Sequence, residues 1–280
     1  MKAKNVLGLI FPNTHDECMS EMTSVRALGS LPFAGGYRVI DFMLSSMVDG
    51  GIQKVGIVTK SNYQSLMDHL GNGKPWELSR KYEGLFMLPP YNTDFAGVYS
   101  GKISALRNIG KFIRMSREDY VAMSDCHVVY SLDYGELLEK HLASGADVTF
   151  VAVNGKTPAF DNILLFSDVD ENGRVGSVRL NSAPGEEALF STGVILMSKA
   201  LLLRLINDAA ARGDRSFERD VIVKNASSLK LYVSVMDTFA PVIDSLAAYF
   251  SANMSMLDTK NRADLLGPRP IYTKVRDDIP

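Results

Sequence analysis

Short, continuously apolar runs alternate along this chain with longer stretches of helical period. That alternation constrains the fold more than any other feature. Val6–Phe11 is an unbroken apolar run stopped by Pro12-Asn13, the pattern of a strand covered on both faces. Residues 41–48 then place Phe42, Leu44, Met47 and Val48 near helical spacing before Asp49-Gly50-Gly51 ends the helix. Residues 54–59 read as a second strand and 62–70 as a second helix. The alternation continues with a helix over 102–113, a strand over 120–123, a helix over 132–143 and a strand over 148–153. Short strands and turns follow over 164–180. Strands over 193–197 and 231–235 each precede a helix, over 199–208 and 245–253. Sequential βα units predict an α/β fold: a mostly parallel sheet with flanking helices. In such a sheet ligands sit at the carboxyl ends of the strands. The segments to inspect are therefore 11–31, 92–101, 124–129 and the loops before Gly193 and Ser245.

Composition removes several alternatives. Lys+Arg numbers 30 and Asp+Glu 32 among 280 residues, with no run of like charge, which argues against nucleic acid as a partner. Two cysteines, Cys18 and Cys126, are too few for a disulfide scaffold and read as reduced thiols. The apolar run at Val6 is too short to cross a membrane and lacks a signal-peptide cleavage pattern. The expectation is a cytoplasmic protein without membrane partners. Residues 1–257 read as one domain, and 258–280, rich in Arg, Asp and Pro, as a connector.

Pro32-Phe33-Ala34-Gly35-Gly36-Tyr37-Arg38-Val39-Ile40-Asp41-Phe42 resembles the Pro-Phe-Gly-Gly-Lys-Tyr-Arg-Ile-Ile-Asp-Phe segment of bacterial ADP-glucose pyrophosphorylases, the glucose-1-phosphate adenylyltransferases. Gly71 to Trp76, Leu88-Pro89-Pro90, Leu132-Asp133-Tyr134, Ser191-Thr192-Gly193-Val194 and the helix from Leu246 to Asn253 resemble further segments of that family in the same order. The resemblance implies a Rossmann-like nucleotide-sugar-transferase sheet. It also implies that residues from Arg269 onward lead toward the family's left-handed β-helix, which lies outside this chain.

The family reaction joins glucose 1-phosphate to the α-phosphate of ATP and releases pyrophosphate. It needs a glycine-rich loop for the triphosphate, cations, and carboxylates for Mg²⁺. Against the family's Gly-Gly-x-Gly-x-Arg-Leu stand Asn13-Thr14-His15-Asp16-Glu17-Cys18-Met19. Asn13, Thr14 and Asp16 replace the glycines and Cys18 replaces the arginine. The added Cβ atoms and two carboxylates disfavour a polyphosphate, so the expectation is a solvated loop that binds no triphosphate. Leu28 stands at a lysine position, and Arg26 matches the preceding arginine. Counting back from Leu132-Asp133-Tyr134 puts His127 at the first metal carboxylate, although a shift of two residues offers Asp125. Val242 falls at the second, with Asp244 two residues on, where an N-cap is expected. Ser104 stands for a nucleotide-side aspartate. The family's sugar-phosphate lysine is missing, with Arg179 nearby.

These replacements imply a retained fold with its chemistry removed: no catalytic residues, no bound metal and no cofactor, where the family uses Mg²⁺. The chain resembles the GlgD-type subunit found beside the catalytic subunit in some bacteria. That implies a regulatory role in glycogen synthesis within a hetero-oligomer. An active adenylyltransferase using Asp125 and Asp244 is one alternative. A module sensing a sugar-phosphate effector is another. Arg26, Arg38, Lys60 and Arg179 are then candidate anion contacts, and Ser191 and Gly193 mark a retained sugar cleft.

Overall fold

The computed structural model describes residues 2–80, 82–90, 101–181 and 183–275. The stretch 92–100, singled out above, lies outside the described residues.

The chain opens with β1 (Val6–Phe11), a short helix α1 (Ser20–Thr23), and a hairpin of β2 (Pro32–Phe33) and β3 (Tyr37–Arg38). Then come α2 (Val39–Asp49), β4 (Lys54–Val58), α3 (Gln64–Leu70) and β5 (Gly84–Leu88). The middle of the chain forms α4 (Lys102–Asn108), α5 (Gly110–Met115), β6 (Tyr120–Asp125), α6 (Tyr134–Ser144) and β7 (Val148–Lys156). Strands β8 (Leu164–Val169), β9 (Val175–Leu180) and β10 (Glu187–Ser198) precede α7 (Lys199–Arg212) and a π-helical turn, Phe217–Val223. The last elements are β11 (Leu231–Val235), α8 (Leu246–Ser255) and α9 (Thr259–Leu266).

The main sheet runs β11-β7-β10-β6-β1-β4-β5, with β8 and β9 added to β10. The neighbours β1–β4, β1–β6, β4–β5 and β7–β11 are parallel, while β10 is antiparallel to both β6 and β7. The mostly parallel α/β sheet is therefore present, with one reversed central strand. The unbroken apolar character of β1 follows from burial on both faces. Val6 and Ile10 enter one core, packed with residues of α2, α3 and α6; Leu7, Leu9 and Phe11 enter the other, with residues of α4, α5 and α7. Gly8 lies against the first, where an added Cβ would stand 2.8 Å from Met47 Sδ.

Several boundaries differ from the sequence reading. The helix expected over 102–113 is two helices, because Ile109 leaves helical geometry at φ −85°, ψ 6°. The N-cap of α8 is Ser245, whose Oγ accepts the Ala248 N–H at 3.1 Å, and not Asp244. The connector is folded where it is described: it forms α9 and then lies along α2. There Arg269 pairs with Asp49 and Asp133 at 3.0 and 2.7 Å. The Tyr272 N–H donates to Ser45 Oγ at 2.8 Å, and the Thr273 hydroxyl donates to buried Asp41 at 2.7 Å. Among the described residues, no helix is long and apolar enough to cross a membrane.

Candidate functional site

A cleft of about 990 Å³ opens at the carboxyl ends of β1, β4 and β6, lined by the loop after β1, by Lys60 to Asn62, by the start of α4 and by Ser191 and Gly193 of β10. This is where a parallel sheet is expected to hold a ligand.

The loop after β1 is not the solvated loop that its composition predicts. Asn13 ties it to the loop after β4: its side chain donates to Ser61 O at 3.0 Å and accepts from Lys60 N at 2.9 Å. It also donates to Asp16 at 2.7 Å. Asp16 accepts the Leu28 N–H at 2.8 Å. Burial pushes the Asp16 carboxyl up to about 6, against the pull of its Asn13 and Leu28 hydrogen bonds. Cys18 donates to His15 O at 2.7 Å, and burial pushes its thiol up to about 11. His15 stacks on Phe160 with centroids 3.8 Å apart. Each polar side chain that replaces a glycine here has found an internal partner, so the loop is fixed.

The cleft lining includes a charge cluster. Lys102, in the first turn of α4, places Nζ 2.9 Å from Asp125 Oδ2 and 2.8 Å from Glu218 Oε1. Burial alone would lower the Lys102 pKa, but the two carboxylates outweigh it and hold the ammonium above lysine's usual value. The other Asp125 oxygen accepts from Thr14 Oγ1 at 3.0 Å. Gly193, at φ +82°, lies so close that a Cβ there would stand 2.7 Å from Asp125 Cβ.

Mg²⁺ does not fit this arrangement. It requires several oxygen donors and open space for water. Both oxygens of Asp125 are engaged, and an ammonium occupies the position between the two carboxylates. His127 is fully buried and offers nitrogen, while Val242 bridges to Val128 and packs into the core. Asp244 accepts the Ala159 N–H at 2.9 Å and the Ser245 hydroxyl at 3.1 Å.

Of the sequence-predicted residues, Asn13, Thr14, Asp16, Cys18, Lys60, His127, Ser191 and Gly193 line the cleft. Leu28 is buried core. Arg38 donates to Ser65 O at 2.7 Å, away from the cleft, and Arg179 pairs with Glu186. Arg26 and Val242 are also outside the lining. Ser104 bonds back to Gly101 O at 2.7 Å within its own helix.

Sequence reasoning missed Lys102, Glu218 and Phe160. One signal for Lys102 was available: a lysine in a helix's first turn opposes the helix dipole and so calls for a carboxylate partner. Nothing local marks Glu218, which lies 116 positions away from Lys102.

Comparison with known proteins bears on this cleft. The nucleotidyl transferase family profile matches residues 19–161. The glycogen biosynthesis protein GlgD of Bacillus subtilis is 31% identical over 276 residues, covering 98% of this chain and 70% of that protein. GlgD of Geobacillus stearothermophilus is 34% identical over 280 residues, covering 98% and 71%. A glucose-1-phosphate adenylyltransferase of Halalkalibacterium halodurans is 28% identical over 284 residues, covering 99% and 73%.

Proposed function

Since this chain belongs to the nucleotidyl transferase family, as a GlgD-type member of the ADP-glucose pyrophosphorylase group, we propose that it acts in glycogen biosynthesis as a non-catalytic or weakly active subunit. It associates with a catalytic glucose-1-phosphate adenylyltransferase chain and tunes it. The observation that carries this reading is the Lys102 ammonium held between Asp125 and Glu218. In the family reaction that region must accept a divalent cation and a polyphosphate. Here an internal cation already neutralises the carboxylates, and the glycine loop is replaced by side chains bonded to one another. Losing such groups together removes most of the barrier lowering that preorganised electrostatics supplies.

A binding role leaves the fold intact and places the output at an interface, where association biases the partner's conformational equilibrium. One face of α8 supports this. Leu246, Phe250 and Met254 follow at helical spacing and are 47%, 64% and 48% exposed. A run of large apolar side chains in water is the pattern of a docking surface.

The test mixes full-length protein with a full-length catalytic homologue and measures ADP-glucose formation. The expected result is a changed rate or substrate affinity together with a complex on sizing chromatography. Substantial turnover by the protein alone with ATP, Mg²⁺ and glucose 1-phosphate would reject the reading. So would an unchanged partner and no complex.

A second reading rests on the open cleft volume. A pocket of about 990 Å³ with Lys60, Ser191 and Gly193 in its lining is large enough for a sugar-phosphate effector. Calorimetric titration with sugar bisphosphates tests it. Lys60→Ala should weaken any binding observed.

A further inference from the structure

The wall of the cleft nearest β6 holds two imidazoles and a carboxylate that face one another. The ligand-capable atoms of His15, Asp125 and His127 all lie within 4.8 Å of one another. The His15 and His127 rings meet edge to face with centroids 4.8 Å apart. Phe160 covers both, stacked on His15 at 3.8 Å and edge-on to His127 at 5.1 Å.

His127 is fully buried, and neither ring nitrogen makes a hydrogen bond. The Ser191 backbone pulls its pKa upward without reaching bonding geometry to either ring nitrogen. Buried polar atoms are paired in the great majority of cases, so an imidazole with neither nitrogen bonded to protein asks for a partner. Burial holds both rings below the usual histidine range, His127 at about 4.

We propose that His15, Asp125 and His127 form a binding site for a late first-row divalent cation such as Zn²⁺, distinct in chemistry from the oxygen-ligated Mg²⁺ of the family reaction. Two imidazole nitrogens and one carboxylate oxygen are the donor set such ions prefer, and magnesium disfavours them. Three protein ligands, all of them lining the cleft, leave a fourth position for water or a ligand oxygen. Bonds of about 2.0–2.1 Å in a tetrahedral site bring ligand atoms to about 3.3 Å apart, so the side chains must close inward. That movement breaks no hydrogen bond of either imidazole. Lys102 does not forbid it, because Glu218 also holds the ammonium at 2.8 Å. Asp125 gives up the Thr14 hydroxyl to turn Oδ1 to the ion, while Oδ2 keeps Lys102. Phe160 supplies an apolar cover that excludes competing water.

The test strips tag-free, full-length protein with EDTA, removes the chelator and titrates in Co²⁺, reading the visible absorption of low-coordinate cobalt. The expected result is saturation at one ion per chain, displacement by Zn²⁺ and no competition from excess Mg²⁺. His15→Ala and His127→Gln should each weaken cobalt binding at least about tenfold, with far-ultraviolet circular dichroism unchanged. His15→Ala decides the matter, since His15 lies on the loop after β1 and is only half-buried. Unchanged cobalt binding in that variant overturns the proposal even where His127→Gln does not fold. A wild-type protein that shows no saturable cobalt spectrum overturns it outright.

Discussion

Lys102 and Glu218, 116 positions apart in sequence, meet with Nζ 2.8 Å from Oε1, and so join the start of α4 to the π-helical turn. Removing the ammonium leaves Asp125 and Glu218 uncompensated in a buried site. Lys102→Met should therefore destabilise the protein by about 3–5 kcal/mol in urea unfolding. A loss under about 1 kcal/mol would mean that water already screens the cluster.

Gly193 combines a left-handed backbone with contact against the charge cluster. An alanine there meets strain at φ +82° and overlap with Asp125 Cβ at 2.7 Å and His127 Cε1 at 2.9 Å. Gly193→Ala should cost about 2–4 kcal/mol by the same measurement. A near-neutral result would show that the bulge in β10 between Ser191 and Ile195 can shift to make room.

His141 gives a pH signature remote from the cleft. Its Nδ1 lies 2.7 Å from Thr149 Oγ1, and the Tyr120 ring stands edge-on at 5.6 Å. Burial lowers its pKa, against an upward pull from Asp147. The folded state thus keeps the ring neutral while the unfolded chain takes up a proton near pH 6.5. Unfolding binds that proton, so the contribution is present above about pH 6.5 and is lost as the pH falls. Wild type should lose more stability than His141→Gln between about pH 7 and pH 5.5. His15 and His127 act with the same sign in both proteins, so the difference between the two curves isolates His141. Parallel curves would remove its role.

The exposed face of α8 should matter to association and not to folding. Phe250→Asp should leave the unfolding midpoint unchanged, because Phe250 is 64% exposed. It should reduce complex formation with the catalytic homologue on sizing chromatography. An intact complex with this variant would move the interface elsewhere.

The first strand was readable because Val6–Phe11 is buried on both faces and carries no polar residue to blur the run. The position of the cleft followed from the order of βα units alone. The reversed direction of β10 was not readable, because a fully buried strand has the same composition whether it runs parallel or antiparallel. Strand β5, Gly84–Leu88, has no counterpart in the sequence reading, where only Leu88 falls within the Leu-Pro-Pro match. The loop after β1 was misjudged for a different reason. Asn13, Thr14 and Asp16 look like surface residues, and their partners at Ser61, Asp125 and Leu28 come from segments that local pattern does not connect. Polar side chains bonded to one another across the fold leave no periodicity to detect.

The placement of β10 also sets a timetable for synthesis. Strands β1, β4, β5 and β6 pair among themselves and can assemble once residue 125 has emerged. Strand β7 has no such neighbour: one edge waits for β10, which ends at Ser198, and the other for β11, which ends at Val235. At about 5–20 residues per second, a ribosome leaves Thr149, Phe150 and Val151 without a second partner strand for on the order of 10 s. During that interval β7 is an apolar edge open to any other chain. Newly made protein is therefore most exposed to aggregation while it is still attached to its ribosome, before the strand that protects it has been translated.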